Sequence, residues 1–93
     1  MPTFYLHLCN GTGFTEDKEG SEHADFQAAR QAALKGLREV MADEMKRGEL
    51  NMGSFIEIED ADRKLLAIVE FNEAVAVTNE VTRRPGHIDI STR

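Results

Sequence analysis

The sequence predicts a two-layer α+β domain, with one long helix packed on a small, mainly antiparallel sheet of three to four strands in the order β-β-α-β-β. Three observations carry this prediction. The chain opens on a run that alternates apolar side chains with period two. A long central segment repeats them at helical spacing. Two further strand-like runs follow, split by a polar turn.

In the opening run, TFYLHLC, Phe4, Leu6 and Leu8 alternate with Tyr5, His7 and Cys9, as expected when one face of a sheet is buried. Pro2 fits a strand start. Asn10-Gly11-Thr12-Gly13 reads as a turn, and Phe14–Asp17 as a short strand returning antiparallel. Glu16–Asp25 is then an acidic loop, bent at Gly20. Asp25 stands where a carboxylate caps a helix N-terminus, and acidic groups there complement the helix dipole.

The helix places Phe26, Ala29, Ala33, Leu37, Val40, Met41 and Met45 on one side. It runs about 22 residues, or ~33 Å. Alanines 28, 29, 32 and 33 keep its first half slim, so it can approach a sheet closely. Lys46 and Arg47 suit its negative end, Asp43 and Arg47 form an i,i+4 pair, and Gly48 is the expected residue past its C-cap. Ser54–Glu59 is the next strand, with Ile56 and Ile58 on one face and Glu57 and Glu59 on the other. After the polar turn Asp60–Arg63, Lys64–Phe71 holds the densest apolar run and is expected centrally in the sheet, paired as a hairpin with the strand before it. Residues 1–74 are expected to form one domain and 75–93 a flexible extension, with either more strand or a helical turn around Glu73–Val75.

Ninety-three residues allow one core, and a composition of 41% hydrophobic and 30% charged residues is that of a globular chain rather than a disordered one. A net charge of −6 disfavours a nucleic-acid partner, which needs a cationic surface to release counterions. The basic pair Arg83-Arg84 lies in the extension and is too small to change that. A single cysteine precludes an internal disulfide. No apolar run reaches the ~20 residues of a membrane helix, and no secretion signal is evident, so no membrane association and a cytoplasmic location are expected.

The candidate chemistry gathers before the helix. His7 and Cys9 share a strand face and, with His23, Asp17 or Glu19 from the following loop, would supply ligands for a soft metal. Their spacing matches no zinc signature, and a strand-borne histidine is more often a packing residue. Residues at i,i+2 on a strand lie about 6.5–7 Å apart, too far for His7 to activate the Cys9 thiol directly. Asp17-x-Glu19-Gly20 and Asp60-x-Asp62 match only fragments of a calcium loop, so solvated turns are the simpler reading. No catalytic residue, metal ligand set or cofactor is therefore assigned from spacing alone.

Taken together, FYLHL, the glycine turn, Asp17-Lys18-Glu19-Gly20-Ser21-Glu22, the Ala28-Ala29 and Ala32-Ala33 helix, Ala42-Asp43-Glu44 and Ile56-Glu57-Ile58 resemble a family of small bacterial proteins catalogued as a domain of unknown function. The resemblance covers about Met1 to Ala74. It implies importance for His7, Asp17, Glu19 and Gly20, and brings no activity with it. Cys9-Asn10 departs from the charged residue and Asp that often follow His-Leu in that family, which leaves Cys9 outside any shared chemistry. The element order is also similar to an antitoxin with a partly degenerate ribonuclease-like fold.

One helix covers only one face of the expected sheet, which leaves Tyr5, His7 and Cys9 on the other. The resulting expectation is a small non-enzymatic interaction or regulatory module that acts through that face or the acidic loop and forms a homodimer through the open face. The alternatives are a small-ligand or metal-binding protein using His7 with Asp17 and Glu19, and an antitoxin-like regulator.

Overall fold

The computed structural model describes residues 1–81, and within them the chain is an α+β domain of one long helix on an open antiparallel sheet. Strand β1 spans Thr3–Asn10, β2 Gly13–Thr15 and β3 Ser21–Glu22; helix α1 spans Phe26–Lys46; strands β4 and β5 span Phe55–Glu59 and Leu65–Glu70; and a short helix α2 follows at Phe71–Ala74. The strand order is β2-β1-β4-β5, with β3 also paired to β1. The basic pair Arg83-Arg84 lies outside the described residues.

Three expectations change. β5, the most apolar run, lies at the sheet edge and not at its centre; β1 and β4 are the inner strands. The acidic loop contains an extra two-residue strand, β3, which pairs Glu22 with Thr3 and Ser21 with Phe4. On α1, Met45 is exposed, while Leu34 and Glu44 join Ala29, Ala33, Leu37 and Met41 among the buried residues.

Glu44 is buried because it closes the helix C-terminus. Its Oε1 accepts from the Asn51 N–H at 2.9 Å, and its carbonyl accepts from Glu49 N–H at 3.0 Å while Gly48 N–H reaches the Met45 carbonyl. That bond pair is a Schellman motif, and Gly48 takes the left-handed φ of +84° it requires. At the other end Asp25 caps as expected, its Oδ1 accepting from Ala28 N–H at 2.9 Å.

The core lies between α1 and one sheet face. Phe4, Ile56, Ile58 and Val69 meet Ala29, Ala33, Leu34, Leu37 and Met41, with Leu6 and Leu8 packed at the margin. The α2 turn adds Phe71 and Ala74 to this layer, held by Arg38 Nε donating to the Ala74 carbonyl at 2.7 Å and by an Arg30–Glu73 ion pair at 2.6 Å. The β4–β5 hairpin forms as expected, with a register shift between Ile58 and Glu59 that pairs Ala67 with Ile58 and Leu65 with Glu59 and leaves Leu66 as the extra residue.

Candidate functional site

β1 is fully laddered to β4 from Tyr5 to Cys9, but its opposite edge is paired only at its two ends. β3 takes Thr3 and Phe4, and β2 takes Leu8 to Asn10. Between them the Leu6 N–H has no strand partner, and a buried amide left unbonded is costly. Asp17 fills the gap. Its Oδ2 accepts from Leu6 N–H at 3.0 Å and its Oδ1 accepts from Gly20 N–H at 2.9 Å. One carboxylate thus stands in for a missing strand and fixes the loop that carries it.

Gly20 fits only as glycine. Its φ is +73°, and a Cβ there would lie 2.8 Å from Thr3 Cγ2, 2.9 Å from Tyr5 Cε1 and 3.1 Å from the Phe4 carbonyl. The loop therefore crosses β1 in direct contact with its backbone. This explains physically why aspartate and glycine stand three residues apart before the helix.

The same loop secures His7, which is only 3% exposed despite lying on the face away from α1. Asp17 N–H donates to His7 Nδ1 at 3.0 Å, so that nitrogen holds a lone pair and the ring proton sits on Nε2. Nε2 then donates to Glu59 Oε1 at 2.9 Å. Tyr5 stacks beside the imidazole at 6.4 Å between centroids and Phe14 tilts against it at 5.6 Å. The histidine is a polar link between a loop, β1 and β4.

Arg63 roofs one end of this cluster. It takes a left-handed φ of +67° in the β4–β5 turn, and its guanidinium lies 3.8 Å from the Tyr5 ring centroid. Nη1 lies 3.9 Å from Glu59 and 3.7 Å from Glu16. The cation–π contact joins the second hairpin to the first across the open face.

The residues singled out from sequence divide accordingly. His7, Asp17 and Gly20 come together as one hydrogen-bonded unit. Glu19 is exposed, and among the described residues no hydrogen bond or ion pair holds it. His23 lies apart, with Nε2 2.8 Å from Ser21 Oγ and its ring against Phe4. Asp60 closes the second hairpin turn, its Oδ1 accepting from Asp62 and Lys64 N–H. Tyr5, Glu59, Arg63 and Phe14 complete the cluster, and no local sequence signal marks them as part of it. Alternation along β4 puts Glu59 on the face away from Ile56 and Ile58, but only the β1–β4 register brings it beside His7.

The chemistry open to this cluster follows from its lone pairs. Both His7 nitrogens and both Asp17 oxygens already have partners within the fold, and the Asp17 carboxylate points at β1 backbone rather than toward His7. Burial, and then the Glu57 charge, push the half-buried Cys9 thiol above its ordinary pKa, which disfavours the reactive thiolate. Among the described residues no three His, Cys, Asp or Glu side chains are grouped to hold a metal ion, and no helix is long and apolar enough to cross a membrane.

No curated protein and no solved structure matches this chain. A family model described as a domain of unknown function, DUF6894, matches residues 3–72. That span runs from the start of β1 into α2 and includes His7, Asp17, Glu19 and Gly20, close to the range over which the sequence resembles an uncharacterised family. The chain belongs to the DUF6894 family.

Proposed function

We propose that this chain is a small non-enzymatic interaction module that associates with itself through the open side of its sheet. The observation that carries this reading is the exposed apolar strip on β5: Leu65, Leu66 and Ile68 are 50%, 41% and 44% exposed, with no second layer over them among the described residues. Phe14, at 59% exposed, is a separate exposed apolar group on the opposite edge strand. Contiguous apolar side chains beside a charged rim are the usual mark of an interaction surface. The non-enzymatic part rests on the cluster around His7, whose donors and acceptors are spent on holding β1, β4 and the Asp17 loop together.

Sedimentation velocity over a wide range of concentration tests the reading. The expected result is a concentration-dependent dimer that Ile68→Lys converts to monomer. Lysine is the suitable replacement because Glu57 lies directly across on β4 and can pair with it in the monomer. A wild-type chain that stays monomeric at high micromolar concentration would refute self-association.

A further inference from the structure

We propose that His7 is a proton-operated latch: uptake of a proton at Nδ1 releases the Asp17–Glu22 loop from β1, while the tie from His7 to β4 holds. The two ring nitrogens are committed in opposite senses. Nδ1 accepts from the Asp17 N–H at 3.0 Å, and Nε2 faces Glu59 Oε1 at 2.9 Å. Only a neutral ring can serve both, because an imidazolium donates from each nitrogen and accepts at neither. A proton on Nδ1 would meet the Asp17 N–H donor to donor, and turning the ring over gives no relief. With the residue only 3% exposed, that new donor has no ready access to water while the loop stays closed.

The surrounding charge favours the proton and the loop opposes it. From β4, Glu59 lies at Nε2 and Glu57 stands directly across the ladder from His7. Asp17 and Glu16 add negative charge from the loop side, against Arg63 in the β4–β5 turn, 3.9 Å from Glu59, and the exposed Lys18. On β1, Tyr5 stacks on the ring, and Cys9 lies two residues along the same face with its thiol pushed up in pKa by burial and then by Glu57, so it stays neutral. Proton uptake and loop closure therefore exclude one another, and a fall in pH shifts the loop toward its open form. The consequence is local. Asp17 fills the gap between β2 and β3, so its departure uncovers the Leu6 N–H on the β1 edge and leaves the two-residue pairing of β3 to hold the loop.

NMR of the full-length chain between about pH 7.5 and 5.5, where histidines change charge and ordinary carboxylates stay ionised, tests the latch. The imidazole nitrogen shifts report the His7 proton, and amide exchange, corrected for its intrinsic pH dependence, reports the loop. As His7 gains its proton, the Leu6, Asp17 and Gly20 amides should lose protection by roughly fivefold or more, the loss of one hydrogen bond, while the β1–β4 ladder keeps its own. His7→Asn should abolish the pH step, since its amide oxygen can accept from the Asp17 N–H without titrating. His23→Asn should retain it, although His23 follows the same loop and lies 2.8 Å from Ser21 Oγ. The wild-type measurement decides even where His7→Asn does not fold. A His7 that takes up its proton with the three amides still protected would overturn the latch. So would a His7 that stays neutral throughout that pH range, or a step that disappears with His23 instead.

Discussion

Asp17 offers the sharpest test of how the site is built. Asp17→Ala removes two hydrogen bonds that end on a charged oxygen, to Leu6 N–H on β1 and to Gly20 N–H. Bonds to charged groups contribute roughly 1.5–3 kcal/mol each when well shielded, and the half-buried setting places each nearer 1 kcal/mol. With the Leu6 amide left unpaired, the expected loss is about 2–3 kcal/mol. In a domain of this size that lowers the thermal midpoint by ~10–20 °C. Asp17→Asn should lose less, because its amide can still accept one of the two bonds but must turn an N–H toward the other donor. Glu19→Gln is the matched control. It removes the same charge from the same loop, yet Glu19 is exposed, so its effect should stay within about 0.5 kcal/mol. Urea unfolding followed by circular dichroism measures all three. Asp17→Ala and Glu19→Gln costing the same would refute the idea that Asp17 substitutes for a strand.

Two further outcomes follow from the same geometry. Gly20→Ala should destabilise the fold by about 2–4 kcal/mol, combining the left-handed backbone penalty with a clash against the Phe4 carbonyl, and a change under ~1 kcal/mol would show that the loop does not cross β1 so closely. The Glu73 carboxyl is held below its ordinary pKa, first by the Glu70 backbone N–H and then by Arg30. A lowered folded value means that its contribution is present above the unfolded carboxylate pKa and is lost as pH falls through the folded one. Arg30→Gln should therefore move the Glu73 midpoint upward in a carboxyl-detected NMR titration while leaving it below the ordinary value. An unmoved midpoint would remove Arg30 from that account.

Much of the fold was legible because local signals agreed with one another. Period-two alternation identified β1 and β4, and helical spacing with an Asp cap and a C-terminal glycine delimited α1 to within a residue or two. The site was legible only as a list of names. His7, Asp17 and Gly20 could be singled out from the chain and from its resemblance to a family. What joins them is an N–H to imidazole bond over ten positions and a carboxylate to amide bond over eleven, neither of which has a local signature. Glu59 reads only as the polar face of β4 and Arg63 only as part of a polar turn, because nothing in β4 or its turn announces a histidine and a tyrosine on another strand.

By itself, the sequence determined the long helix and the strands β1, β2, β4 and β5, which faces of β1 and β4 are apolar, and where the long helix begins and ends. Those properties depend on backbone preference and on side-chain period, both local. Only the tertiary structure decided that the most apolar strand, β5, sits at an edge while β1 and β4 are the inner strands, and that Glu44 is buried at the helix end where Met45 is exposed. Strand order and register are set by which loops can span which gaps and by which polar groups are left to satisfy. Asp17 shows this most clearly: its role exists because β2 and β3 are too short to meet, and that gap appears only when the strands are assembled.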